Sequence, residues 1–393
     1  MRYRADKKGN QISQLGFGCM RFAKKGNSID YDLAEQQLLY AYENGVNYFD
    51  TAYIYPGSEE CLGTILEKNH LREKVNIATK LPQYIMRSST AIEKTFNEEL
   101  KRLKTDYIDY YLMHMLTDVK EWENIKTLGI EDFIDRHKKD GSIRSIGFSY
   151  HGDSEMFIKI LNSYDWDFCQ IQYNYLDEHS QAGVTGLNAA KEKGIPVIIM
   201  EPLRGGKLVN MLPSSAEKLI RENKHHFSNA ELGLRWLWNQ EGVTCVLSGM
   251  NSLEMVKENI KIASDANIDD FDEEDFKLVD NVRKAIREKE KVGCTGCRYC
   301  MPCPKGVDIP GNFYYYNLMY IEKKTSARFE FAQVMGLRKD PGFASQCIEC
   351  GKCEMHCPQH LKIRDLLKKA DSELRPLPYK IGIDIARKIM VHK

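Results

Sequence analysis

The sequence lacks several features that would assign it quickly to a class of protein. Lysine plus arginine and aspartate plus glutamate number 56 each, so no net charge attracts the chain to nucleic acid or to anionic lipid. No apolar run approaches the roughly 18 residues that suggest a membrane span. The first residues contain no apolar segment of the kind found in a secretory signal. These absences predict a cytoplasmic protein that binds neither nucleic acid nor membranes.

The sequence also lacks a Gly-x-Gly-x-x-Gly motif after a first strand, which weakens the case for a doubly wound dinucleotide-binding sheet. Instead, short apolar runs alternate with stretches of helical spacing. Eight such strands within about 250 residues are typical of a (β/α)8 or TIM barrel, although alternation alone leaves the open sheet as a competitor. The predicted strands are Gln14–Gly18, Val46–Asp50, Val75–Lys80, Ile108–His114, Ile143–Ser149, Phe168–Tyr173, Pro196–Met200 and Val243–Ser248.

The pattern changes after Asp265. An acidic stretch should begin a charged helix that runs to about Lys291, and the chain closes with an amphipathic segment, Leu361–Leu374, and a tail of weaker helical spacing. We therefore predict a barrel domain over residues 1–290 and a second, mainly helical domain over residues 291–393.

Eight of the twelve cysteines lie in two short runs of this second domain. Zinc is the simple alternative for paired Cys-x-x-Cys motifs, but three thiols at successive spacings followed by Cys-Pro fit its separated ligand pairs poorly. The spacing resembles that of bacterial ferredoxins with two 4Fe-4S clusters, in which the last cysteine of each run binds the other cluster. That resemblance implies one cluster on Cys294, Cys297, Cys300 and Cys357 and a second on Cys347, Cys350, Cys353 and Cys303.

Polar residues follow the predicted strands of the barrel, among them Asp50, Tyr55, Lys80 and His114. An ammonium beside a phenol favours the phenolate, and a carboxylate keeps that ammonium charged and in place. A nearby imidazole can orient a carbonyl group, so the four together could polarise a carbonyl and protonate its oxygen. Each residue alone is more often structural, as a cap, a packed ring or a core histidine. Their coincidence at the ends of successive strands favours catalysis.

These residues resemble the catalytic tetrad of the aldo-keto reductase superfamily, over about residues 10–265. The resemblance rests on Phe49-Asp-Thr-Ala with Tyr55 five residues after Asp50, a strand-ending Thr-Lys, and Leu-Met-His after Asp-Tyr-Tyr. It implies that Tyr55 is the general acid, that Lys80 and Asp50 tune it, and that His114 orients the substrate. It also implies a nicotinamide cofactor beside Gly18, Cys19 and Met20, with its carboxamide held by Ser149 and Gln170.

The sequence departs from the family pattern where the cofactor would bind. Tyr150 stands where Asn is usual, and Met200 replaces a tyrosine that stacks on the nicotinamide. The chain keeps Glu258 and Asn259, but Gly249, Met250 and Met255 occupy the places of cations that clamp a 2′-phosphate, so no preference for NADPH is predicted. Glycine-rich loops still suggest a phosphate site after the last two strands, made by Arg204, Gly205, Gly206, Lys207, Gly249, Met250 and Asn251.

The sequence as a whole predicts an oxidoreductase that interconverts a carbonyl and an alcohol and exchanges electrons through the clusters. Clusters carry single electrons whereas hydride transfer moves two, so an FMN-containing electron-transfer flavoprotein is an alternative. A non-catalytic redox sensor is another, disfavoured by the intact tetrad. The predicted partners are a small carbonyl or alcohol substrate and a redox protein, either a ferredoxin or a flavoprotein. Neither the substrate's identity nor the oligomeric state is predicted.

Overall fold

Eight parallel strands close into a barrel, which confirms the predicted fold class and excludes the open sheet. The computed structural model describes residues 1–294, 296, 298, 300–357 and 359–390, and it describes residues 269, 389 and 390 by their backbone only. The strands are β1 Leu15–Gly18, β2 Tyr48–Asp50, β3 Asn76–Leu81, β4 Ile108–Leu116, β5 Ile143–Tyr150, β6 Phe168–Gln172, β7 Val197–Met200 and β8 Val243–Ser248. Each differs from its predicted range by two residues or fewer at either end.

Apolar side chains fill the barrel interior, because alternate residues of every strand point inward. The side chains that pack there are buried: Tyr48, Ala78, Tyr110, Leu112, Phe168, Ile198, Cys245 and Leu247. Ile12, from an antiparallel hairpin of Tyr3–Ala5 with Gln11–Ser13, packs against the same cluster. The interior is therefore a packed core, and the polar chemistry lies at the carboxyl ends of the strands and in the loops that follow them.

Helices follow the strands of the barrel, and side-chain caps mark several of their starts. Asp30, Ser88, Ser228 and Ser252 each accept a hydrogen bond from a backbone N–H in the first turn of the helix that follows. The helices are α1 Tyr31–Glu43, α2 Ser58–Lys68, α3 Ser89–Leu103, α4 Val119–Lys126, α5 Ile130–Asp140, α6 Ser154–Leu161, α7 Gly183–Glu192, α8 Lys207–Asn210, α9 Ser214–Arg221, α10 Asn229–Trp238, α11 Leu253–Asp265 and α12 Glu273–Arg287.

The cysteine-rich part of the chain has its own apolar core, built on helices α13 Ile309–Ile321, α14 Lys324–Phe331, α15 Lys352–Met355, α16 Ile363–Leu374 and α17 Leu377–Met390. The aromatic stretch at 313–316 lies in α13, where Phe313, Tyr315 and Tyr316 are buried. The final helix begins at Leu377, whereas helical spacing in the sequence predicts it only from Ile381. Pro378 lies in its first turn, where a missing N–H costs nothing.

The chain divides into two compact units. One comprises 1–210 and 220–279, and the other comprises 211–219 and 280–393, so the division falls inside α9 and α12. The domain boundary near residue 290 remains a prediction. In the described ranges, every helix is too short or too polar to cross a bilayer.

Candidate active site and cysteine cavities

The register of the barrel places Asp50, Lys80 and His114 on its inner side. Asp50 pairs with Ala78 across β2 and β3, and Lys80 lies two residues beyond Ala78 on the same face. Lys80 in turn pairs with Leu112, and His114 lies two residues beyond it. From β2 to β3 to β4, the inward side chain thus lies two residues beyond the partner of the previous one, in keeping with the stagger between strands of a barrel. The three side chains form a polar layer above the apolar core.

Lys80 and Asp50 form a buried ion pair within this layer. Lys80 Nζ lies 2.6 Å from Asp50 Oδ1 and also donates to the carbonyl oxygen of Thr51 at 2.6 Å. The side chains are 1% and 6% exposed. Burial raises the pKa of Asp50, while Lys80 and a hydrogen bond from Gln170 oppose that shift. The pair therefore fixes a positive charge at the centre of the site.

Tyr55 enters the site from the loop after β2. Its ring centroid lies 6.0 Å from that of His114, edge to face, and 5.3 Å from Lys80 Nζ. Burial, Asp50 and Glu201 raise the pKa of Tyr55 above its usual range. This shift is the opposite of the one predicted from Lys80, because burial is its largest cause and both carboxylates act in the same direction. The phenol is accordingly protonated at neutral pH and available as a proton donor.

His114 is neutral at physiological pH. Burial, with smaller contributions from Lys80 and His151, lowers its pKa well below the usual value. Its Nδ1 atom is buried and has no hydrogen-bond partner among the described residues. A neutral imidazole beside a phenol can donate a hydrogen bond to a carbonyl oxygen without bringing a second positive charge into the site.

Ser149, Gln170 and Met200 continue the inward series around the barrel. Gln170 pairs with both Ser149 and Ile198, and Met200 lies two residues beyond Ile198. The Ser149 hydroxyl accepts a hydrogen bond of 2.8 Å from the backbone N–H of Met115, and Gln170 Oε1 is buried without a partner in the described chain. A buried amide oxygen that lacks a partner is suited to a ligand that donates to it. Their role in holding a carboxamide remains a prediction.

The predicted residues at the end of β1 differ in their exposure. Cys19 is buried, and its burial, with Asp50 and Cys61, raises the pKa of its thiol well above the usual value. Met20 is 63% exposed. A side chain on Gly18 would lie 3.3 Å from the carbonyl oxygen of Ser248, so glycine lets β1 and the loop after β8 approach closely.

Arg21 lies between the two glycine-rich loops and was missed by the sequence analysis. A β-carbon on Gly205 would lie 2.7 Å from Arg21 Nη2, and one on Gly249 would lie 2.8 Å from Arg21 Cδ. The side chain is exposed, and in the described part of the chain it forms no hydrogen bond or ion pair. The only advance signal was a cation in the short segment that follows β1. An unpaired guanidinium beside Gly205 is suited to phosphate.

Arg204, predicted at this phosphate site, is instead engaged inside the protein. It is 3% exposed and forms a buried ion pair with Asp177, which also accepts hydrogen bonds from Gln172 and Asn174. The arginine thus anchors the loop after β7 to the loop after β6. Gly205 and Gly206 follow with positive φ values of 65° and 89°, and Lys207, half-buried, begins α8.

The predicted residues after β8 have mixed surroundings. Met250 is buried and Asn251 is exposed. The Asn259 amide donates to Ser248 Oγ at 2.9 Å and ties α11 to the end of β8. Glu258 accepts a hydrogen bond of 2.9 Å from Ser228 at the start of α10. Asn259 therefore supports the loop that carries Gly249, whereas Glu258 lies on the exposed face of its helix.

The cysteines of the second unit border two cavities. One, of about 180 Å³, is lined by Cys303 together with Cys347, Cys350 and Cys353. The other, of about 20 Å³, is lined by Cys294 and Cys357. Cys300 borders both, and Cys297 lies outside the described residues. The structure thus brings the last cysteine of each run to the other run, although 44 or more residues separate them.

The thiols around these cavities suit an iron–sulfur ligand set. All the described cysteines are free of disulfide bonds. Soft thiolate groups select iron–sulfur clusters, and backbone N–H groups directed at sulfur tune such sites. The backbone N–H of Glu349 is 3.4 Å from Cys347 Sγ. The ligand assignment itself remains a prediction.

Comparisons with known proteins match both parts of the chain. The family model described as "Aldo/keto reductase family" matches residues 14–284, and the model described as "4Fe-4S dicluster domain" matches residues 293–361. The chain is 25% identical to the NADH-specific methylglyoxal reductase of Escherichia coli (strain K12), over 66% of its own length and 92% of that protein. It is 24% identical to L-galactose dehydrogenase of Arabidopsis thaliana, over 71% and 93% of the two.

Two solved structures share the barrel. The aldo-keto reductase AKR11C1 from Bacillus halodurans (holo form) superposes with a TM-score of 0.59 at 26% identity, covering 72% of this chain and 97% of that one. An aldo/keto reductase from Klebsiella pneumoniae, in complex with NADP and acetate, superposes with a TM-score of 0.58 at 21% identity, covering 72% and 95%. Nearly the whole length of each of these two structures aligns with this chain.

Proposed function

Since this chain belongs to the aldo/keto reductase family and carries a 4Fe-4S dicluster domain, we propose that it interconverts a small carbonyl compound and its alcohol and exchanges electrons through two 4Fe-4S clusters. That it is an oxidoreductase follows from the family and from the oxidoreductase relatives. The observation that carries the proposed reaction is the meeting of Tyr55, His114 and the Lys80–Asp50 pair at one end of the barrel.

Each of the four side chains has a separate role in the proposed proton transfer to the carbonyl oxygen. Tyr55, protonated in the resting site, gives its proton to that oxygen as negative charge develops on it. The Lys80 ammonium then stabilises the phenolate that remains. His114, neutral and buried, orients the carbonyl toward Tyr55. In the direction of alcohol oxidation, the same groups would remove the hydroxyl proton.

The cofactor that fits this site best is a nicotinamide dinucleotide, which supplies or accepts the hydride when bound. Gly18, Ser149 and Gln170 would border its ring, and the orphaned Gln170 Oε1 supports an amide-donating ligand. Arg21, between Gly205 and Gly249, would bind its phosphates. A relative specific for NADH and a fold neighbour that contains NADP leave both dinucleotides as candidates. None of the relatives reported above is named as a flavoprotein, so we do not propose FMN.

The cysteines would hold the two clusters in the crossed arrangement. Cys303, Cys347, Cys350 and Cys353 border one cavity, and we assign them to one cluster. Cys294, Cys300 and Cys357 border the other, and with Cys297 they complete the second set. Clusters accept and release single electrons, so a one-electron redox protein is the expected partner.

The experiment that tests the proposed reaction is an anaerobic assay of the purified protein with NADH and NADPH against a panel of small aldehydes and ketones. Tyr55→Phe removes the proton donor and should lower kcat by about 10²- to 10⁴-fold while the cluster absorption stays unchanged. Tyr164→Phe, at a ring packed on Trp122 and Trp166, is the matched control and should retain full turnover. Carbonyl reduction that survives in Tyr55→Phe would refute the assignment.

A further inference from the structure

One edge of the larger cysteine cavity reaches the protein surface. Cys350 is exposed, unlike the other described cysteines, which are buried or half-buried. Two apolar side chains beside it in the chain are also exposed, Ile348 by 57% and Met355 by 75%. Large apolar side chains exposed together often mark an interaction site.

The charges around this edge are mainly positive, because two of its carboxylates are already paired. Glu349 is 2.7 Å from Lys368 Nζ, and Glu354 is 2.8 Å from Arg364 Nη2. Two exposed cations, Lys305 and Lys352, have no ion-pair partner in the part of the chain that the structure describes. Lys352 lines the cavity itself, and Lys305 follows Pro304 of its rim.

We propose that these five residues, Ile348, Cys350, Met355, Lys305 and Lys352, form a docking surface for a small, acidic one-electron carrier protein. We call them the Cys350 surface. The inference rests on the proposed function, since it requires a cluster at Cys303, Cys347, Cys350 and Cys353. Two exposed apolar side chains supply the contact area of a weak, transient redox encounter, which is small in such complexes. Unpaired lysines attract and orient an acidic partner and repel a basic one.

The docking surface explains how electrons could enter by single steps. At each encounter one electron passes from the reduced carrier to this protein, the carrier is oxidised by one electron, and no bond is made or broken. Exposure of Cys350 brings the carrier's own redox group close to the cluster edge, and two encounters deliver as many electrons as one hydride. The same contacts serve transfer in the opposite direction.

The test is equilibrium binding of the full-length holoprotein to a small acidic ferredoxin, measured by calorimetry at low and at moderate salt. The wild type should bind, and binding should weaken steeply with salt. Lys352→Glu should weaken binding by roughly tenfold or more and flatten the salt dependence. Met355→Ser should weaken binding with the salt dependence retained. Lys380→Glu, an equal charge change at an exposed position of α17, should bind as the wild type does.

A basic cytochrome c of similar size is the partner control and should not bind. Equal losses in Lys352→Glu and Lys380→Glu, or equal binding of the cytochrome, would overturn the docking surface. Iron content and the reduction of the clusters by methyl viologen separate this outcome from failure of the proposed function. Intact, reducible clusters without ferredoxin binding overturn the docking surface alone, whereas a protein without clusters overturns both.

Discussion

Lys80 Nζ lies 2.6 Å from Asp50 Oδ1, although both side chains are almost completely removed from solvent. Burial of two charges is costly, and the attraction between them offsets that cost only while both are present. The pair holds the Lys80 ammonium near Tyr55, on which the proposed reaction leaves a negative charge. It is therefore the point at which stability and chemistry of the barrel are most closely linked.

Removal of the carboxylate should destabilise the protein. Asp50→Asn leaves the Lys80 ammonium buried without a counter-charge, and loss of one partner of a buried pair costs about 3–5 kcal/mol. Urea unfolding followed by circular dichroism measures the change. The matched control is Glu155→Gln, which breaks the exposed Lys159–Glu155 pair on α6 and should cost under about 0.5 kcal/mol. Similar losses in both variants would contradict the importance of the buried pair.

His114 should make stability depend on pH. Its pKa in the folded protein is lowered, so below about pH 6.5 the imidazole binds a proton in the unfolded chain but not in the folded protein. The free energy of unfolding should therefore fall by up to about 1.4 kcal/mol for each pH unit below that point.

His114→Gln should lose this part of the pH dependence, so its profile should converge with that of the wild type on acidification. Chemical denaturation at a series of pH values between 5 and 8 measures both profiles. His70→Gln, at an exposed position, is the control, and its profile should stay parallel to the wild type. Parallel profiles for His114→Gln as well would mean that the imidazole titrates alike in both states.

Arg21 should contribute to dinucleotide affinity more than to turnover. Its guanidinium lies beside Gly205 and its aliphatic part beside Gly249, so Arg21→Ala should raise the Kd of NADH by about tenfold or more, the value of a charge-assisted hydrogen bond. Quenching of protein fluorescence on titration with NADH measures the Kd. Lys24→Ala removes a nearby exposed cation and should change it little. Equal effects of the two variants would indicate only a general loss of charge.

The crossed cysteine assignment predicts which pairs of cysteines bind the same cluster and which bind different clusters. Cys303→Ser with Cys350→Ser alters two thiols of one cavity and should leave about half the iron, whereas Cys303→Ser with Cys357→Ser should remove nearly all of it. Iron content and electron paramagnetic resonance after anaerobic reduction distinguish the outcomes. If the first pair also loses nearly all the iron, each run binds its own cluster.

The barrel could be predicted because its signals are local. Strand ends fell within two residues, since each buried parallel strand is a short apolar run bounded by polar residues. Glycine after a helix is a less uniform signal: Gly45 and Gly194 adopt the left-handed conformation typical of a helix end, with φ of 92° and 64°, while Gly242 does not. The C-terminal helix α17 begins before Ile381 because Pro378 lies in its first turn, where proline is tolerated.

The sequence by itself determined the eightfold alternation, the cysteine spacing and the residue types at the strand ends, because periodicity and spacing are written in consecutive residues. Only the tertiary structure decided which of these side chains meet. Closure of the barrel places Arg21 beside Gly205 and Gly249. Arg204 forms a buried ion pair with Asp177, and Cys303 borders the cavity lined by the second cysteine run. Protonation was decided there too. The pKa values of Tyr55 and His114 depend on burial and on neighbours from other strands, and neither exists until the chain has folded.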